Sequence, residues 1–245
     1  MNAPCKAWDL MTDSAVYLQP AFILQQRKFR ETSLIIDVLT EDFGRVSLLA
    51  KGVRKTKSKT AGLLQPFIPL TLSYFGKSGL KTLTDVEINQ PFIPLHGIAL
   101  YCGFYINELI GCFLHQQDPH PEVFAYYRSC LTCLLDGSKI EQTLRNFELD
   151  LMNAVGYGLQ LDYDAPNHKT VNPLNNYNFN AEEGPIEALD GSFSGKTLLA
   201  LKSRELTDPL VLAEAKILMR TAIAVYLDGK QLKSRGVISK IIQHL

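Results

Sequence analysis

Eight cations, Arg45, Lys51, Arg54, Lys55, Lys57, Lys59, Lys77 and Lys81, fall between Asp42 and Asp85 with no acidic residue among them. The chain as a whole balances 25 Lys and Arg against 25 Asp and Glu, so everything outside this stretch carries a net charge of minus eight. Clustered Lys and Arg raise the local potential and release counterions from phosphates, which makes a polyanion the partner this segregation suits. A solvated loop whose lysines serve only solubility is the competing reading, and a charge run alone is commonly that. Phe29, Phe43, Tyr74 and Phe75 flank the run. Aromatic faces beside cations suit single strands, with bases stacked and phosphates neutralised. The same rings are also the size and type that fill a core, and both readings stay open.

Other chemistry-bearing residues form no reactive set. Cys130 and Cys133 have the spacing of half a zinc site, but no second pair completes it, and Cys102 and Cys112 fall within one apolar helical stretch. Buried thiols are the expectation for all four. His96, His115, His120, His168 and His244 sit in no metal-binding spacing. There is no phosphate loop or dinucleotide glycine pattern, and Ser33, Ser47 and Ser58 lie in no nucleophile elbow. The sequence predicts no enzyme, no metal and no cofactor.

The basic run must be positioned by a β-rich region. Short strands are predicted over Ala21–Gln26, Ser33–Thr40, Arg45–Gly52, Phe67–Phe75 and Leu80–Glu87. Turns are predicted at Glu41–Gly44 and Gly76–Gly79, where glycine takes positive φ without cost. Five short strands suit a small barrel of the OB type, whose face and loops bind oligonucleotides or oligosaccharides. Val53–Gln65, between the third and fourth strands, is predicted to project as a basic loop.

After Pro91 and Pro94 the apolar period changes to about 3.6 residues. Helices are expected from Ile98 to Cys112, Pro121 to Leu135, Lys139 to Val155, Asp208 to Leu227 and Lys230 to His244, with Gly156 ending the third. An irregular excursion at about 159–195, with one hairpin near Tyr177–Ile186, interrupts them. The division expected is a leader over 1–14, a barrel domain over 15–92 and a helical domain over 93–245. At 245 residues and 46% hydrophobic composition the chain is long enough for one or two cores. Nothing approaches the ~20 apolar residues of a membrane span, the N-terminus lacks a signal-peptide pattern, and five cysteines suggest no disulfide framework. The expected compartment is the cytoplasm, with no membrane partner.

Several ungapped motifs then carry a resemblance. Glu31-Thr-Ser33, Leu39-Thr40, Gly44-Arg-Val46, Ala50-Lys-Gly-Val-Arg54, Leu64-Gln-Pro-Phe67 and Lys81-Thr-Leu83 resemble the N-terminal OB domain of the RecO family. Leu100-Tyr-Cys-Gly-Phe-Tyr-Ile-Asn-Glu-Leu109, Arg145-Asn-Phe-Glu148, Val155-Gly-Tyr-Gly158 and Leu232-Lys-Ser-Arg235 resemble its helical domain, so the likeness runs from Tyr17 to Ile242. It implies an α+β architecture, with an OB barrel followed by an all-helical domain. It also implies a bacterial recombination mediator associated with the nucleoid. Such a protein binds single- and double-stranded DNA, anneals complementary strands, and with RecR helps RecA replace single-stranded DNA-binding protein. Many members carry a four-cysteine zinc module after Gly-Tyr-Gly, yet Leu159–Gly184 contains no cysteine, which implies the zinc-free branch. The resemblance places the basic stretch on the family's DNA surface. It places the acidic, hydrophobic tail of single-stranded DNA-binding protein on the helical domain, where Lys233 and Arg235 are candidates by charge alone and a structural ion pair fits them equally. An adaptor whose basic loop meets an acidic protein is the alternative.

Overall fold

Alternating burial along the strands builds a closed five-stranded barrel in the order β1 (Ala15–Phe29), β2 (Ser33–Thr40), β3 (Gly44–Ala50), β5 (Leu80–Ile88), β4 (Leu70–Phe75), closing back on β1. We analysed a computed structural model that describes residues 15–55, 58, 60–89 and 94–242. The expected leader at 1–14 lies outside these residues. β3 shows the pattern most plainly: Gly44, Val46, Leu48 and Ala50 are buried while Arg45, Ser47 and Leu49 face outward half-exposed. Ile23, Ile36, Val38, Val46, Leu48, Leu70, Leu72 and Tyr74 fill the interior.

β1 is 15 residues long, and so starts well before the predicted Ala21 and runs on past Gln26. Its first half pairs with β4 and its second half with β2, which only a long, bent strand can do. The polar run Gln25–Lys28 hid that extension, because one exposed edge of a hairpin need not alternate in hydrophobicity. The connection after β3 is tethered rather than simply projecting. Val53, Leu64 and Ile68 join the barrel core.

The chain forms two compact units, one of residues 1–96 with 114–125 and the other of 97–113 with 126–245. Within the barrel unit, Leu114–Ala125 returns as a strap over the outer side of β3. Gln116 bridges Arg45 in parallel fashion, and the Gln117 N–H donates to the Arg45 carbonyl at 2.8 Å. Gln116 Nε2 donates to Ser47 Oγ at 3.0 Å, and Phe124 packs on Phe22 with ring centroids 5.5 Å apart. Gly44 sits at φ 62°, and a Cβ there would lie 1.8 Å from the Asp118 carbonyl oxygen, so the β2–β3 turn admits only glycine beneath the strap.

The second unit is built on α1 (Gly97–Phe113), α2 (Pro121–Asp136, its first turn in the barrel unit) and α3 (Ile140–Ala154). Next come β6 (Tyr163–Asp164), β7 (Lys169–Thr170), β8 (Asn176–Asn180), β9 (Gly184–Glu187) and β10 (Phe193–Ser194). The expected hairpin is β8–β9, with β10 added on the far side of β8 and β6–β7 forming a separate two-stranded sheet. Asp164 organises this excursion, accepting from the Asn167 backbone, the Asn167 side chain and the Glu187 N–H. Burial alone would raise its pKa, and these donors outweigh that, holding the carboxyl below the usual carboxylate range.

α4 (Gly195–Ser203), α5 (Pro209–Tyr226) and α6 (Lys233–Ile242) complete the unit. α4 was not predicted. Ser194 caps it, and Glu214 of α5 accepts hydrogen bonds from the Ser194 N–H and hydroxyl, so a distant carboxylate stabilises a start with little local signal. α5 opens as the pattern Asp208-Pro209 requires, with Asp208 Oδ1 accepting from the Leu210 N–H at 2.9 Å. The α6 N-terminus is capped from α1, where Glu108 accepts from the Lys233 and Ser234 N–H groups at 2.9 Å each.

Candidate nucleic-acid interface

The basic residues separate into three groups once the barrel is closed. The first lies where the β1–β2 turn meets the loop after β3. Arg54 N–H donates to the Thr32 carbonyl at 2.9 Å, and its guanidinium donates to the Arg30 carbonyl at 3.0 Å. Two bonds thus fix one loop on the other. Lys51, Arg54 and Lys55 are exposed there, with Gly52 at φ 71° and the Lys55 N–H bonded to the Gly52 carbonyl in a tight turn. Arg27, Lys28 and Arg30 are exposed on the adjoining hairpin, and Arg30 stacks 5.3 Å from the Phe29 ring centre.

Arg27, Lys28 and Arg30 were absent from the sequence-based set. Three cations in four residues just before a turn were the available signal, and their separation from the main run by a whole strand hid it. The hairpin brings them together with Arg54 because Leu34 pairs with Ala50 at the same end of the barrel. Glu31 is the acid next to them in sequence. Lys57 and Lys59, the remaining predicted cations of this loop, lie outside the described residues.

Lys77 and Lys81 form the second group, on the β4–β5 turn. Lys77 is exposed, while Lys81 is half-buried with its ammonium donating to the Gly76 carbonyl at 3.1 Å. β3 and β5 run parallel with Ser47 opposite Leu80, so this turn lies toward the Gly44 end of β3 and the first group lies at the Ala50 end. Arg45 stands apart from both. It is half-buried on the outer face of β3, its Nε shielded from solvent, with Gln116 and Gln117 against its backbone.

OB barrels use the outer face of strands 2 and 3 and the flanking loops to hold oligonucleotides. Here the β3 part of that face is occupied by the chain's own strap, and the polar groups beneath are engaged: Asp37 accepts from Ser47 Oγ and from Gln25 Nε2, and Gln116 donates to Ser47. The open basic surface is therefore on the loops. Of the flanking aromatics, Tyr74 is buried and Phe43 packs on the core. Phe29 is half-buried and Phe75 is 46% exposed, so these two keep a ring edge or face toward solvent.

In the helical unit Arg235 makes a structural contact of its own. Its guanidinium lies 5.5 Å from the Tyr105 ring centre and donates to Tyr105 Oη at 3.1 Å. Tyr105 in turn donates to Glu148, which Arg145 holds from the other side. Lys233 is exposed, with its backbone N–H engaged by Glu108. Of the two charge-based candidates for the acidic tail, Lys233 is exposed and Arg235 makes a cation–π and hydrogen-bonded contact with Tyr105.

Cys102 and Cys130 are buried, and burial pushes the Cys102 thiol up to about 11 and Cys130 well above the ordinary thiol range. Cys133 is exposed. Such buried thiols hold their protons at neutral pH and are poor ligands. Among the described residues no group of three or more His, Cys, Asp or Glu could hold a metal ion. Purified protein is expected to carry no stoichiometric zinc; elemental analysis returning about one zinc per chain would overturn this. No helix among the described residues is long and apolar enough to cross a membrane.

Residues 11–92 match the family description "Recombination protein O N terminal" and residues 95–236 match "Recombination protein O C terminal". The chain is 41% identical over 231 residues to the DNA repair protein RecO of Nitrosospira multiformis, covering 92% of this chain and 96% of that protein. It is 42% identical over 224 residues to RecO of Methylococcus capsulatus, covering 91% and 93% respectively. It is 40% identical over 228 residues to RecO of Haemophilus influenzae, covering 92% and 97%. With a five-stranded OB barrel, a following helical region and both halves of the family pattern in order, the chain belongs to the RecO family of DNA repair and recombination proteins.

Proposed function

We propose that this chain is a non-enzymatic mediator that binds single- and double-stranded DNA, anneals complementary strands, and with RecR promotes RecA loading onto DNA covered by single-stranded DNA-binding protein. The observation that carries the DNA-binding part is the tethered pair of loops, in which Arg54 bonded to Arg30 and Thr32 gathers exposed Arg27, Lys28, Arg30, Lys51 and Lys55. Complementary strands repel one another. A surface that neutralises phosphates on both lowers that repulsion and raises local concentration, while base pairing supplies the sequence match. No bond is made or broken by the protein, in keeping with the absence of a reactive residue set in the sequence. The tail of single-stranded DNA-binding protein is assigned to the helical unit, with RecR and RecA acting downstream at gaps in the nucleoid.

Fluorescence anisotropy with a labelled oligonucleotide tests this reading. If about five phosphates are neutralised on a single strand, log K should fall against log salt with a slope near −3.5, and sequence should matter little. A slope near zero, or no binding at low salt, would leave the adaptor reading in its place.

A further inference from the structure

Large apolar side chains crowd the outer surface of β1 and β4. Phe75 pairs with Ala15 across the ladder, and Tyr17 lies two residues further along β1, inside the stretch where that pairing shifts register. Val16 and Tyr74, which alternate with them, turn inward against the core. Tyr17 is 52% exposed, Phe75 46% and Leu80, at the end of the β4–β5 turn, 38%. The backbone here departs from a regular ladder. The register shifts between Val16 and Gln19, Leu18 takes φ 50°, and its N–H is satisfied by Ser73 Oγ at 3.1 Å instead of by a strand carbonyl. A left-handed leucine is costly, and bulges of this kind re-aim side chains, in this case toward solvent.

Charge around this platform is directional. Lys77 is exposed on the adjoining turn, and Gly76, between it and Phe75, is braced by the Lys81 ammonium. Asp85 and Glu87 are exposed further along β5, at the end away from the turn. A phosphate is thus attracted at Lys77 and repelled at Asp85 and Glu87. Two exposed aromatic rings on neighbouring strands, with a cation at one end and acids at the other, suit unstacked bases whose backbone leaves past the turn. An acidic peptide would find one lysine and two opposing carboxylates.

We infer that the outer face of β1–β4 is a second nucleic-acid contact, specific for single strands, in which Tyr17 and Phe75 stack bases and Lys77 takes a phosphate. It rests on the DNA-binding reading above and goes beyond it. The loop cluster at Arg30 and Arg54 lies at the Ala50 end of β3, the β4–β5 turn lies toward the Gly44 end, and the Gln116–Gln117 strap occupies the outer face of β3 at Arg45 and Ser47. One barrel therefore offers two contacts, so a single strand on the platform and a second strand on the loops can be held at once.

The test compares single-stranded and duplex DNA on a Tyr17→Ala, Phe75→Ala protein. A duplex keeps its bases stacked inside and has no free face to offer the rings. Affinity for an unlabelled dT oligonucleotide, measured by competition, should fall at least about thirtyfold, the loss of two stacked bases at the low end of what stacking contributes, while affinity for a duplex of equal length stays within about twofold. Equal losses on both substrates, or no loss on either, would overturn the assignment. A second measurement needs no variant. Irradiating the unaltered protein with an oligonucleotide carrying 5-iodouracil should cross-link Tyr17 or Phe75, located by mass spectrometry. Cross-links confined to Phe29 and the loops, or none to the barrel, would show that the platform serves another partner and overturn the inference. Failure is distinguishable from failure of the underlying reading, because in that case the unaltered protein would bind neither substrate.

Discussion

A protein carrying Arg30→Asn, Lys51→Ala, Arg54→Ala and Lys55→Ala is expected to bind single-stranded DNA about 10² to 10³-fold more weakly at 0.1 M salt. The figure follows from counterion release: each neutralised phosphate contributes about 0.7 to the slope of log K on log salt, which amounts to about 0.7 decade at 0.1 M relative to 1 M. Four contacts removed should flatten the slope by about 3. Asparagine is chosen at Arg30 because that residue sits at φ 49°, a conformation Asn tolerates better than Ala. The fold should survive, since exposed charges contribute little to stability and the Arg54 N–H keeps its bond to Thr32 whatever the side chain. The informative control is a protein with Lys196→Ala and Lys202→Ala. Those lysines are exposed too, but they face Asp208 and Asp162 in the helical unit. Loss of annealing in the loop variant with the control unchanged, and with capture of an acidic, hydrophobic tail peptide retained, fits a division of labour between the units. Equal effects from both variants, or an unchanged slope in the loop variant, would mean that total charge rather than the tethered loops governs binding.

That experiment uses Arg30, which the sequence-based set lacked, and the reason shows what a linear reading can reach. Period-two alternation in Arg45–Ala50 and glycines at Gly44 and Gly76 made the barrel legible, because both signals are local. The meeting of the β1–β2 turn with the loop after β3 depends on register, Leu34 against Ala50, and on a side chain of one loop bonding the backbone of the other. Neither leaves a trace in composition. The strap was illegible for a related reason. Leu114–Ala125 follows a long apolar helix and reads as an ordinary connection, yet its backbone pairs with Arg45, which turned a residue expected on the open surface into a half-buried one. Charge alone also gave no sign that the Arg235 guanidinium lies over the Tyr105 ring. The motifs Tyr105 and Arg145–Glu148 stood out in the sequence as family features without any stated reason; the structure shows they are one network.

That network carries the second large expectation. Arg145 and Glu148 are 4% and 1% exposed, paired one turn apart on α3, with Arg145 Nε donating to Glu148 Oε2 at 2.8 Å. Tyr105 of α1 donates to Glu148 Oε1 at 2.7 Å, and Arg235 of α6 donates to Tyr105. Burial opposes the Arg145 charge, but the adjacent carboxylate more than offsets this and raises its pKa above the ordinary arginine range. Burial, reinforced by Glu148, likewise raises the Tyr105 phenol, so the hydroxyl remains a donor at every physiological pH. Removing one partner of a buried pair strands the other charge, at a cost of about 3–5 kcal/mol, whereas replacing the whole set by apolar groups of similar volume is often close to neutral. Arg145→Met alone should therefore accelerate amide exchange in α1 and α3 peptides by about two to four orders of magnitude, at roughly 1.4 kcal/mol per tenfold. The triple replacement Arg145→Met, Glu148→Leu, Tyr105→Phe should recover most of that protection, since no buried charge is left stranded and Arg235, which loses its Tyr105 acceptor, is only half-buried and can turn that N–H to water. A single variant that exchanges like the unaltered protein would show that water reaches Glu148. A triple variant worse than the single one would show that the network supplies net stability rather than fixing how α1, α3 and α6 meet.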